Sequence, residues 1–393
     1  MSPSAPPPVR VYLDHNASAP LRESARAAML AALEICGNPS SIHGEGRAAR
    51  ARVERARGQV AAAVGVRPEH VVFTSGGTEA ANLAISPSLV REGRGAERLL
   101  ASAGEHPCVL LGHRFCADRV ELAPLRGDGT LDLEAFAAAL RRPGAGVALV
   151  ALQAANNETG VLQPVAEAAA LAHAEGAILV CDAVQALGRM SFESLSAADV
   201  LTLSAHKIGG PKGVGALVFD PARLHMSGGL VRGGGQERGL RGGTENVAGI
   251  AGFGAASEEA SRSLPREASR LKALRETLEA GLRAGAPDLL VFGAAADRLP
   301  NTSAFAAPGL KAEMLVAALD LAGAAISSGS ACSSGKVAPS HVLSAMGVEP
   351  ELAACALRAS MGWSTSENDV SLFCETFEKT VRSVRSRRVG RAA

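Results

Sequence analysis

Aromatic side chains are scarce in this 393-residue sequence, at 3%, with one Trp, one Tyr and ten Phe. Apolar residues still reach 47%, so the core must be aliphatic and alanine-rich, in a chain long enough for one large domain and a smaller one. Charge of one sign is also missing. The 40 Lys+Arg against 39 Asp+Glu leave a formal net charge of +1, which argues against a nucleic-acid or polyanion binder relying on a basic face. The one basic run, Arg382, Arg385, Arg387, Arg388 and Arg391, reads as a solvated or frayed end. No apolar stretch approaches the roughly 18 residues needed to span a bilayer, so no membrane association is expected. Met1–Arg10 is Pro- and Ser-rich, without the apolar segment of a secretory signal. The seven cysteines (Cys36, Cys108, Cys116, Cys181, Cys332, Cys355, Cys374) contain no CxxC pair. The expectation is reduced thiols in a cytoplasmic protein.

What is present is an alternation. Short apolar runs at Val71–Ser75, Leu99–Ser102, Val147–Leu152, Ala177–Cys181, Val200–Leu203 and Gly215–Phe219 read as strands. Alanine-rich stretches at Thr78–Ile85, Leu133–Leu140 and Val165–Glu175 read as helices between them. That order predicts an α/β fold with a mostly parallel sheet covered on both faces. Ligands of such sheets sit beyond the carboxyl ends of the strands. Further on, Leu264, Ala268, Leu271, Leu274, Leu278 and Leu282 recur at spacings of three and four, with Pro265 near the start. This predicts one long amphipathic helix, a spine between two domains.

Lysine is another scarcity, with six among the 40 basic residues. Lys207 directly follows a buried strand in Leu203-Ser204-Ala205-His206-Lys207, a setting suited to Schiff-base chemistry, although a snorkelling surface lysine fits as well. Asp182 ends the Ala177–Cys181 run, with Gln185 three residues on. A carboxylate there can keep a pyridine nitrogen protonated or simply cap a helix. Gly76-Gly77-Thr78-Glu79 after the first strand fits a phosphate cradle or a capping box. The glycine-rich Ile208–Gly215 loop has the wrong spacing for a P-loop. Glu105-His106 and Asn156-Asn157-Glu158 follow two further strands. His106, Cys108, His113 and Cys116 match no common zinc pattern, and Cys108, Gly112 and Cys116 read instead as one buried helix face. No metal site is expected.

These segments resemble those of NifS/IscS-type cysteine desulfurases, in the class V aminotransferase group of fold type I pyridoxal-phosphate (PLP) enzymes. The similarity runs from Tyr12-Leu-Asp-His-Asn-Ala17 and Asn38-Pro-Ser-Ser-Ile-His43 through Thr74–Glu79, Glu105-His106, Ala155–Glu158, Asp182–Gln185 and Ser204–Lys207. It continues through Gly233–Glu237, Arg241–Asn246, Ser327–Gly335 and Pro339–Leu343 to Arg358–Gly362. It implies a seven-stranded-type sheet in a large PLP-binding domain, residues 15–262, and a small α/β domain, residues 1–14 and 263–393, carrying a cysteine loop at about 327–337. It further implies that Lys207 holds PLP as a Schiff base and moves the α-proton, that Asp182 pairs with the pyridinium nitrogen and Gln185 with the phenolic oxygen, and that His106 stacks on the ring and serves catalysis in proton transfer. Gly77, Thr78, Ser204 and His206 would hold the phosphate, with Thr244 supplied by the second subunit of a homodimer. Asn157, which would also contact the cofactor, and Arg358 would orient the substrate and grip its carboxylate.

The resemblance makes Cys332, in Ser327-Ser-Gly-Ser-Ala-Cys-Ser-Ser-Gly335, the nucleophile that takes sulfur from L-cysteine as a persulfide and releases L-alanine. Sulfur would then pass to an iron–sulfur scaffold or another acceptor protein. The other six cysteines read as small buried hydrophobes. Within the same family, selenocysteine lysis, transamination and β-elimination are alternatives that the fold does not separate, and a PLP-free scaffold is the reading from another class. In Asp14-His15-Asn16-Ala17-Ser18-Ala19, Ser18 keeps a hydroxyl that the family usually has and Ala19 loses one.

Overall fold

Seven strands form the main sheet of the computed structural model, which describes residues 10–144, 146–329 and 340–392. They are β1 (Val71–Thr74), β2 (Arg98–Ser102), β3 (Val120–Ala123), β4 (Ala148–Ala151), β5 (Ile178–Asp182), β6 (Val200–Ser204) and β7 (Gly215–Phe219). Their order across the sheet is β1-β7-β6-β5-β4-β2-β3. Only β7 runs antiparallel to its neighbours; the other pairings are parallel. The middle strands are aliphatic at nearly every position because helices cover both faces. The edge strand β3 is half exposed and carries Glu121, so no apolar run announces it. Parallel register aligns the carboxyl ends of β5 and β6, with Asp182 opposite Thr202.

The spine helix is longer than its leucine pattern suggests. It runs over Val247–Gly285, and Asn246 caps it by accepting from the Gly249 N–H at 3.0 Å. Pro265 therefore lies inside the helix and not near its start. It is exposed there, and the buried residues on either side belong to different cores. Ile250, Phe253, Ala256 and Ala260 pack with the main sheet. Leu271, Leu274, Leu278 and Leu282 pack in a second core with Phe305, Phe373 and Phe377. Leu264 and Ala268, expected on the apolar face, are only partly buried because they fall at this changeover.

The second core lies under an antiparallel sheet of β8 (Leu290–Val291), β9 (Thr302–Ala306), β10 (Ser327–Ser328) and β11 (Ala356–Ser360), ordered β8-β9-β11-β10. The N-terminal segment joins it, Val11–Tyr12 pairing in parallel with Ala324–Ala325. The basic C-terminal run does not fray. It continues a helix over Glu367–Ala392, anchored by buried Val370, Phe373, Phe377 and Val381, and Arg385 pairs with Asp288 at 2.7 Å. No helix among the described residues is long and apolar enough to cross a membrane.

Candidate active site

One cavity of about 270 Å³ opens at the carboxyl ends of β5 and β6. Its lining includes Gly77, Thr78, His106, Asn157, Asp182, Gln185, Ser204, His206, Lys207 and Arg358, ten of the residues singled out from the sequence. Thr244 is not among them and is exposed. Cys332 lies outside the described residues.

Each element delivers its residue for a local reason. Lys207 ends a single turn, Ala205–Lys207, that follows β6, and its Nζ donates to the carbonyls of Asn16 at 2.6 Å and Ala17 at 3.0 Å. Asp182 ends β5, where Oδ1 accepts from the Val184 N–H at 2.9 Å and from the Thr202 hydroxyl at 3.2 Å. The helix Gly77–Ala84 starts at the cavity, and its N-cap, Gly76, offers no side-chain cap. A Cβ on Gly77 would meet Val184 Cγ2 at 2.7 Å, so the close approach of helix and strand ends needs glycine. His106 Nδ1 accepts from the Cys108 N–H at 3.1 Å. In the neutral ring the proton then sits on Nε2. Burial lowers its pKa, the Asp182 carboxylate opposing and Lys207 and His341 adding to the effect, so the ring is held neutral.

Arg358 arrives from β11 and is buried. Its Nη2 pairs with Asp14 Oδ1 at 2.7 Å, its Nη1 donates to the Asn157 carbonyl at 3.0 Å, and its Nε has no partner among the described residues. Asn16 joins the two walls. Its side chain bonds Thr302 Oγ1 at 2.9 Å and the Asn157 carbonyl at 3.2 Å, and accepts from Asn301 at 3.1 Å. Its carbonyl also takes Gln185 Nε2 at 3.2 Å. Ser18 Oγ lies 3.3 Å from His206 Nδ1, which gives that retained hydroxyl a partner at the site. Burial together with Lys207, Lys212 and Arg189 pushes the His206 pKa down to about 4.

Sequence reasoning missed Asn16 as a hub, Gln153 and Val184 as lining, and Arg189 behind Gln185. Asn16 stood in a quoted motif, and a polar residue buried there was the available signal. Cys108 also faces the cavity, its thiol pKa raised by burial. The expected helix face through Cys116 does not form, because the helix spans only Pro107–Leu110 and Cys116 is exposed. Cys36 is exposed too, so neither residue is a buried hydrophobe.

Residues 11–373 match the family described as Aminotransferase class-V. The chain belongs to the class V aminotransferase family. It is 43% identical to a cysteine desulfurase of Cereibacter sphaeroides over 96% of this chain and 97% of that one. It is 38% identical to an IscS-like cysteine desulfurase of Mycobacterium tuberculosis over 97% and 98%. The NifS-like protein from Rickettsia africae superposes with a TM-score of 0.83 at 31% identity, over 95% of this chain and 99% of that one. Class V enzymes are PLP-dependent and have the fold type I architecture, to which the mostly parallel sheet described above conforms. The cavity fits PLP. It offers an uncapped helix start shaped by Gly77 for a phosphate, a carboxylate at a strand end for a pyridine nitrogen, and a lysine amine beside both.

Proposed function

We propose that this protein is a cysteine desulfurase, converting L-cysteine to L-alanine and taking the sulfur onto Cys332. The observation that carries the reading is the meeting of Lys207, Asp182 and Arg358 in one cavity. When bound, PLP supplies an electron sink for the pair left at the substrate α-carbon. Lys207 Nζ is the amine that holds the cofactor and afterwards carries the α-proton. Asp182 keeps the pyridine nitrogen protonated, and the neutral His106 ring covers the cofactor face. Gly77, Thr78, Ser204 and His206 hold the phosphate, joined in a homodimer by Thr244 of the partner subunit. Arg358, with Nε unpaired among the described residues, receives the substrate carboxylate next to Asn157.

The Cys332 thiolate attacks the substrate sulfur. A sulfur–sulfur bond forms as the carbon–sulfur bond breaks, the electron pair stays with carbon, and a proton on that carbon completes L-alanine. The persulfide then serves iron–sulfur cluster assembly, or that of a related cofactor, in the cytoplasm, a role supported by the relatives' IscS names. We take residues 15–262 as the large domain and residues 1–14 with 263–393 as the small one.

The test is to incubate purified protein with L-cysteine and a thiol reductant and to quantify products. Alanine and sulfide in equal amounts support the reading. Pyruvate with ammonia would mean β-elimination and would remove Cys332 from its role. A Cys332→Ala variant that binds PLP but releases sulfide at the wild-type rate would do the same.

A further inference from the structure

Arg189 is a buried cation whose hydrogen-bond partners among the described residues are all neutral. It follows Gly188, whose φ of +70° and closeness to Ala260 (2.9 Å from a built Cβ) turn the chain inward where only glycine fits. Its Nη1 donates to Gln185 Oε1, and its Nη2 donates to the carbonyls of Lys207 at 2.9 Å and His15 at 3.2 Å. No carboxylate pairs with it among the described residues; the charged or titratable groups around it include His15, His206, Lys207 and Arg358, and Arg22 and Glu267 line the same small cavity. Burial and the Arg358 charge push its own pKa down to about 9, so its proton stays on at neutral pH. Burying a cation without a counter-ion is costly, which points to an anion arriving nearby in the working enzyme.

A guanidinium has only donors, so the Gln185 atom facing it must be the amide oxygen. That fixes the rest of the amide. Gln185 lines the cavity, and its Nε2 meets the same Asn16 carbonyl that receives Lys207 Nζ. The nitrogen is thereby kept as a donor beside the lysine, and a flip that would present an oxygen there is forbidden.

We propose that Arg189 is a positioning residue, whose fork locks the Gln185 amide so that its nitrogen donates to the phenolic oxygen of the cofactor. This rests on the PLP reading of the cavity. Arg189 touches neither cofactor nor substrate and acts through Gln185. With the donor fixed and a cation behind it, the negative charge on that oxygen is stabilised, and the cofactor–lysine linkage gives up its proton at a lower pH.

The experiment is a pH titration of the visible absorbance of the PLP-loaded protein, for wild type, Arg189→Lys, Gln185→Met and the double variant, with thermal midpoints measured alongside. Lysine keeps the charge and loses the fork. We expect Arg189→Lys and Gln185→Met each to raise the titration midpoint by about one pH unit, and the double variant to move no further than Gln185→Met alone. An unmoved midpoint in a folded, PLP-loaded Arg189→Lys protein overturns the proposal, as does a double variant whose shift is the sum of the two. Should Arg189→Lys fail to fold, Gln185→Met decides: no shift there leaves Arg189 nothing to position. A wild-type protein that takes up no PLP would instead sink the reading of the cavity itself.

Discussion

Lys207 and Arg358 line the same cavity but are held there in different ways. Lys207, Asp182 and Ser204 stand at or just past the ends of neighbouring strands, so main-chain register delivers them to one edge. Arg358 stands inside β11, a strand buried at all five positions, and is aimed by ties to Asp14 and the Asn157 carbonyl. One wall is set by backbone topology and the other by side-chain bonding across distant parts of the chain. Damage to the first should remove chemistry, and damage to the second should loosen binding.

Lys207→Ala should show the largest effect, lowering kcat about 10⁴-fold, at the upper end for loss of a proton-transfer group, while the thermal midpoint changes little. A residual rate within tenfold of wild type would break the assignment. Arg358→Gln should raise KM for L-cysteine by about 10–100-fold, the worth of a lost charge-assisted bond, with a smaller change in kcat. Steady-state kinetics separate the two. A kcat loss equal to that of Lys207→Ala would erase the distinction between the walls.

Asn16→Ala strikes the seam. It removes one hydrogen bond each from buried Asn301 and Thr302, which keep their bonds to the Met361 carbonyl and to each other, and should cost about 1–3 kcal/mol in denaturant unfolding, with KM rising as well. The pH dependence of stability sharpens the same point. His15 is pushed to about 3, by burial first and then by Arg189, Arg22 and Arg270; His206 is pushed to about 4. Both are depressed, so the unfolded chain takes up their protons first as the pH falls. Stability is full above about pH 6.5, the ordinary histidine value, and declines towards the two folded values. The thermal midpoint should fall between pH 7 and 5, and His15→Gln should flatten part of that slope. Arg385→Ala, at a half-exposed pair with Asp288 far from either wall, should cost no more than about 1 kcal/mol.

Legibility followed the same divide. Strand runs such as Ile178–Asp182 and Val200–Ser204 are continuous and aliphatic, so the residues after them could be picked out by position alone. The roles of Asn16 and Arg189 could not, because each depends on a carbonyl contributed from far along the chain, that of Asn157 for Asn16 and that of His15 for Arg189. Arg358 was found through its motif and not through any pattern in Ala356–Ser360. The spine's true start was hidden for another reason. Val247–Ala260 is buried on several faces, so its periodicity is blurred by alanine and glycine.

That spine has a thermodynamic consequence. A single 39-residue helix contributes side chains to both apolar cores. Melting either core would strip one half of the helix of its packing, and a helix in water owes most of its stability to such packing. Neither core can be lost without weakening the other. The calorimetric enthalpy of unfolding should therefore approach the van't Hoff value for one cooperative transition, instead of dividing into two peaks.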